Sequence, residues 1–197
     1  MSVIILNLLI FVCTFLAYLA CFRTDEGGWS VKKGLAALRF FTLLSNLFCA
    51  LAALLLALSA LSGDVPQWVW LLKYIGSAAV TVTLLTVMFF LAPSAGFKAM
   101  LSGRDFYLHL LGPVLAIVSF CFFERYYPLP FPLSLVGILP VILYGGVYLY
   151  KVVLSPEGQR WDDFYGYNKN GKWPVAFTAM VVGAALVCVL LWGLYRL

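Results

Sequence analysis

Charge is scarce in this chain: 13 Lys and Arg and 8 Asp and Glu among 197 residues, 11% of the total against 64% hydrophobic. An ordinary soluble domain carries about 25% charged residues, so a water-soluble fold is excluded. Histidine is scarcer still, His109 being the only one, and the five cysteines (Cys13, Cys21, Cys49, Cys121 and Cys188) show no paired spacing. That pattern excludes the common Cys/His metal centres and redox pairs, and the cysteines are expected to be small core residues. Asp162 and Asp163 are neighbours, but two carboxylates fall far short of a coordination sphere, so neither a metal nor any other cofactor is expected. A basic stripe with interleaved aromatics is missing too, and the formal charge of +5 does not point to nucleic acid. The opening segment, 1–22, has no basic residues ahead of its apolar run and carries Tyr18 where a lipoprotein signal wants leucine, so it is expected to stay as a first helix.

What the chain does have is six apolar runs, at 1–22, 35–61, 68–91, 106–123, 133–153 and 175–197. About 20 residues of helix cross a hydrocarbon core about 30 Å thick, so each run is long enough to span. The runs are continuous and lack the two-residue alternation of barrel strands. They predict an all-α bundle of six transmembrane helices with short loops, a single transmembrane domain over residues 1–197. Pro113 and Pro140 lie inside runs and are expected to leave the carbonyls of His109 and Val136 without amide partners, kinking both helices. Ten of the 13 cations fall on the first, third and fifth links or the adjoining helix ends, leaving Lys73, Arg125 and Arg196 for the other side. The excess of cations in cytoplasmic links therefore predicts odd links in the cytoplasm and both termini outside. The six tryptophans lie near span ends, as an interfacial belt requires.

Polar groups at membrane depth are costly and are the first candidates for function. Arg39, Thr42 and Asn46 are spaced by three and four residues, so in one continuous helix they share a face, with Ser45 beside them. Thr42 is about seven residues into the second run and His109 about three into the fourth, placing both within about 11 Å of one membrane face. A hydroxyl near an imidazole suits ester chemistry: the histidine takes the threonine proton during attack on the carbonyl and returns one to the leaving alcohol. Arg39 or Asn46 could stabilise the oxyanion, with Ser45 as a further substrate contact. Plainer alternatives stand beside these: a Thr42 hydroxyl bonded to the carbonyl of Leu38, a packing role for His109, and Arg39 snorkelling to the interface. Tyr74, Ser77 and Thr81 suit interhelical hydrogen bonds or the lining of the same cavity. The fifth link, with Asp163, Tyr165 and Asn168 in an aromatic stretch, could fold back as a lid or simply anchor at the interface.

The segment Leu38-Arg39-Phe40-Phe41-Thr42-Leu43-Leu44-Ser45-Asn46, His109 followed by Pro113, and the Asp-Phe-Tyr-Gly stretch at Asp163 resemble bacterial relatives of the androgen-induced gene 1 and androgen-dependent TFPI-regulating protein family. That resemblance spans most of the chain. It implies a multi-span membrane hydrolase of fatty acid esters of hydroxy fatty acids, in a bacterial plasma membrane, with Thr42 matching the nucleophilic threonine and His109 the histidine. Arg39, Ser45, Asn46, Asp163, Tyr165 and Asn168 are assigned from the residues themselves. The expected partner is a membrane lipid or fatty acyl ester. The alternative is a non-enzymatic protein that binds or transports a lipid or small solute.

Overall fold

The computed structural model describes all 197 residues; 79% are helical and none forms a strand. Six helices are long and apolar enough to cross a membrane: α1 (Ser2–Phe22), α2 (Phe41–Leu61), α3 (Gln67–Ala95), α4 (Arg104–Phe123), α5 (Phe131–Leu154) and α6 (Trp173–Arg196). The chain is an integral multi-pass membrane protein of the all-α class.

The second apolar run departs most from expectation. It is broken in two: Val31–Ala36 forms a short helix, Ala37–Arg39 a 3₁₀ turn, and Phe40 is extended (φ −92°, ψ 133°) before α2 begins. Ser30 starts the short helix, its hydroxyl accepting the Lys33 amide at 3.2 Å. With Lys32, Lys33 and Arg39 inside nine residues, this stretch is too charged to enter lipid and stays at the membrane face.

Proline shapes the other irregularities. Pro113 follows a π turn at Tyr107–Leu111, Pro93 follows one at Val87–Leu91, and Pro140 follows a 3₁₀ turn at Leu135–Ile138. Changes of helical pitch let neighbouring amides take up carbonyls that a proline ring leaves unpaired.

Helix α3 is the hub, packing against α2, α4, α5 and α6. The middle of its buried surface is a run of small residues, Gly76, Ser77, Ala78 and Ala79. A Cβ on Gly76 would stand 2.8 Å from the Cα of Cys49, so the backbones of α2 and α3 meet there, as small residues allow between membrane helices. Gly137 of α5 fills the corresponding place between Ala78 and Cys188 of α6. Four of the five cysteines are buried, Cys13 is half-buried, and all are free thiols. The polar stripe of α3 makes packing bonds: Tyr74 donates to the carbonyl of Ser134, Ser77 to that of Ala116 at 3.5 Å, and Thr81 to that of Ser77 at 2.7 Å.

At the end of the bundle holding the even-numbered links, Lys73 and Glu124 form an ion pair at 3.2 Å with neither side chain exposed. Oε1 of Glu124 also accepts from Asn7 of α1 at 2.7 Å and from the hydroxyl of Ser119. The Glu124 backbone carbonyl accepts from the Trp70 indole at 2.9 Å and the Tyr195 hydroxyl of α6 at 3.5 Å. One residue thereby ties α1, α3, α4 and α6 together. Lys73 is thus not a free interfacial cation, Glu124 is not a solvated link residue, and Trp70 is not part of an interfacial belt. Trp68 and Trp70 are two positions apart, about 200° around a helix, so Trp68 faces outward at 59% exposure while Trp70 is fully enclosed.

Removing one partner of a buried ion pair costs about 3–5 kcal/mol, because the other charge is stranded. Lys73→Met and Glu124→Gln should each lower the melting temperature in detergent sharply, whereas the double variant should regain most of the loss. Additive losses in that double-mutant cycle would show that the pair is not coupled.

Candidate functional site

At the opposite end, the late start of α2 makes Thr42 its second residue and leaves Arg39 off the helix. Arg39, Thr42 and Asn46 therefore do not form one helical stripe, and Thr42 lies over a turn shallower than expected. The same break removes the usual resting place of a threonine hydroxyl. Leu38 is outside α2, and the Thr42 side chain lies instead beside the phenol of Tyr165.

The Thr42 carbonyl accepts from Asn46 Nδ2 at 2.7 Å and from the Ser45 hydroxyl at 3.1 Å. Asn46, only 2% exposed, also donates from Nδ2 to the carbonyl of Leu108 in α4 at 3.0 Å. That carbonyl is free for a local reason. In the π turn, the amide of Gly112 reaches back to Tyr107, and Pro113 has no amide to offer the next carbonyl along. Leu108, rather than His109, is thus the residue whose carbonyl is taken up from outside the helix. Gly112 eases the approach, since a Cβ there would crowd the Tyr107 carbonyl oxygen at 3.0 Å and Asn46 Oδ1 at 3.2 Å. With two N–H groups given to two carbonyls, Asn46 is a clamp between α2 and α4 and has no donor left for an oxyanion. Ser45 is engaged too, bonding Thr83 of α3 at 2.8 Å.

His109 lies next to the clamped carbonyl, in the same π turn. Its Nδ1 is 2.7 Å from the carbonyl oxygen of Met100, in the link between α3 and α4. A carbonyl can only accept, so this contact assigns the proton to Nδ1 and leaves the Nε2 lone pair available. The ring of His109 and the hydroxyl of Thr42 are not hydrogen bonded to each other. Their immediate neighbours differ, Met100 for one and Tyr165 for the other, and the connection between them is Asn46.

The link between α5 and α6 packs over the start of α2. Asp163 folds it: Oδ1 accepts the amide of Tyr167 at 2.7 Å and the hydroxyl of Tyr148 at 3.1 Å, and Oδ2 accepts the amide of Asn168 at 2.8 Å. The Tyr165 hydroxyl accepts the Phe41 amide at 3.2 Å, the Tyr144 hydroxyl donates to the Arg39 carbonyl at 2.8 Å, and Phe164 meets Phe40 with ring centroids 4.6 Å apart. Burial pushes the Tyr165 phenol above the usual tyrosine range, while the Phe41 amide and the nearby hydroxyls of Tyr144 and Thr42 pull the other way. The Asn168 carboxamide oxygen is buried without a partner.

An apolar groove of about 360 Å³ lies between α2 and α5, walled by Phe41, Leu44, Phe48, Leu143, Tyr144 and Val147, with Ser45 and, from the link, Trp161 also in its lining. No family model, curated protein or solved structure matches the chain. Its own geometry therefore carries the functional argument.

Sequence reasoning missed Met100 as the partner of His109, Leu108 as the second anchor of Asn46, and Tyr107, whose hydroxyl bonds Thr14 at 3.1 Å and the carbonyl of Ile10 at 3.0 Å. Pro113 was the one usable clue, because a proline in an apolar run announces an unpaired carbonyl nearby.

Asn46→Leu keeps the volume but strands the buried carbonyl of Leu108, while that of Thr42 keeps the Ser45 hydroxyl. It should destabilise the protein by about 1–3 kcal/mol, read as a lower melting temperature in detergent. Asp163→Ala should leave the bundle intact yet loosen the link, so that trypsin cuts after Arg160 and Lys169 several times faster than in the parent protein. An unchanged digestion rate would show that Asp163 does not organise the segment.

Proposed function

We propose that the protein is an intramembrane lipid ester hydrolase in which Thr42 is the nucleophile and His109 the general base. The observation that carries this is the Asn46 clamp, which fixes the backbone of Thr42 and that of the residue preceding His109 to one side chain. Two further features support it. The Nδ1 contact with Met100 leaves His109 Nε2 as the proton acceptor. Thr42 stands at the head of a 21-residue helix, whose positive dipole end favours a developing oxyanion.

In this mechanism Nε2 of His109 takes the Thr42 proton as Oγ1 bonds to the ester carbonyl carbon. The resulting tetrahedral oxyanion collapses by expelling the alcohol oxygen, which His109 protonates. Water, deprotonated by the same ring, then releases the acid from Thr42. Substrate closes the space between ring and hydroxyl, since catalytic hydrogen bonds tighten in the complex. The resemblance to the androgen-induced gene 1 family supports fatty acid esters of hydroxy fatty acids as the substrate class. In the same proposal the odd links face the cytoplasm and both termini lie outside. Burial of Lys73 in its ion pair favours this, because it leaves Arg125 and Arg196 as the only free cations on the other side.

The second reading is a lipid-binding or lipid-carrying membrane protein without chemistry, favoured by the separate neighbours of Thr42 and His109. A fluorophosphonate probe and a fatty acid ester of a hydroxy fatty acid separate the two. Hydrolysis requires that Thr42→Ala and His109→Ala lose labelling and cleavage by about a hundredfold or more while melting as the parent does, with Thr42→Ser retaining part of the rate. Full cleavage by both alanine variants would eliminate the hydrolase.

A further inference from the structure

Arg39 presents a cation with nothing opposite it. The three ion pairs of the protein join Lys33 to Asp25, Lys73 to Glu124 and Arg104 to Asp105, and none includes Arg39. Its Nε is buried and has no acceptor. Its guanidinium rests against a pair of touching rings, 5.0 Å from the centroid of Phe40 and 5.4 Å from that of Phe164, so it is positioned rather than loose. A buried N–H without an acceptor is costly, and a fixed guanidinium plane is the best protein donor for an oxyanion with two oxygens.

The surroundings say which anion. Arg39 immediately precedes Phe40 and the start of α2, at the level where headgroups meet the hydrocarbon. The Tyr144 hydroxyl that bonds its carbonyl belongs to a ring in the wall of the apolar groove, and Phe41, two residues on, lines the same groove, so the Arg39 backbone adjoins it. Lys169 and Lys172, in the link that covers Arg39, are in no ion pair and add positive field at the same membrane face. A groove of about 360 Å³ is at the small end of ligand sites, room for one chain rather than two.

We propose that Arg39 and the groove between α2 and α5 form a binding site for an anionic phospholipid, with the phosphodiester on the guanidinium and one acyl chain along Phe41, Phe48, Leu143 and Val147. At headgroup depth, phosphate is the anion that the bilayer itself supplies. The site does not depend on hydrolysis at Thr42. A lipid held there would brace the folded link against α2 whether or not that threonine reacts.

The test is lipid retention measured by native mass spectrometry on the full chain in a neutral detergent. Phosphatidylglycerol and phosphatidylcholine of identical chains are offered together, and palmitate is offered in a second arm. The parent protein should keep one phosphatidylglycerol in about tenfold preference over phosphatidylcholine, a preference that Arg39→Gln removes and Arg39→Lys, which keeps the charge without the fork, only partly preserves. Val147→Trp, at a half-exposed position in the groove wall, should weaken retention of both lipids. Thr42→Ala should bind as the parent does, so loss of ester cleavage and loss of lipid are scored on different variants. Retained preference in Arg39→Gln would overturn the proposal, as would equal binding of the two phospholipids by the parent. Displacement of phosphatidylglycerol by equimolar palmitate would overturn the phosphodiester assignment. Melting curves confirm that each variant is folded, and if Arg39→Gln is not, Arg39→Lys carries the comparison.

Discussion

A single carboxylate decides how this bundle closes. Glu124 has no exposed surface, and neither does its partner Lys73. In lipid neither charge is tolerable alone, so the end of α4 and the first turns of α3 must come together before the bundle is complete. Asn7 is drawn in from α1 by the same oxygen, and Trp70 and Tyr195 by the backbone carbonyl of the same residue. Dispersion alone would let six smooth apolar helices slide past one another. A bond set with one stoichiometry and one geometry fixes their register at that end.

The other end is fixed by a neutral device of similar logic. Pro113 and the π turn before it leave the carbonyl of Leu108 with no amide partner, and the side chain of Asn46 supplies one from α2 while holding the carbonyl of Thr42. Small residues set how close the helices come: Gly76 against Cys49, and Gly112 beneath Asn46. The candidate site is thus a consequence of packing. Thr42 and His109 stand where they do because the carbonyl of Thr42 and that of Leu108, just before His109, both accept from Asn46, and the folded link, organised by Asp163, packs over the start of α2.

The two ends also differ in character. Around Lys73 and Glu124 the groups are enclosed and their bonds internal, with Glu124 Oε2 and Asn7 Oδ1 sealed in without partners, which suits a structural clamp. Around Thr42, Arg39 and the fifth link there are unspent groups: an imidazole nitrogen, a guanidinium N–H, an asparagine oxygen, and an apolar groove leading away from them. Unspent polarity beside a groove is the arrangement expected where a lipid is received.

Hydropathy alone determined that the chain crosses the membrane six times as helices, because the cost of an unpaired backbone in lipid leaves no other structure for runs of that length. It also singled out Thr42, Asn46 and His109, since polar side chains at membrane depth are few. Tertiary structure decided the rest. A continuous apolar run could not announce that α2 starts only at Phe41, because that break comes from an extended residue and a separate capped turn held at the membrane face. Nor could a residue count place Lys73, Glu124 and Trp70 in the core. Each looks interfacial by position, and each is buried only because a partner from another helix arrives to satisfy it, a match between distant segments that no local pattern encodes.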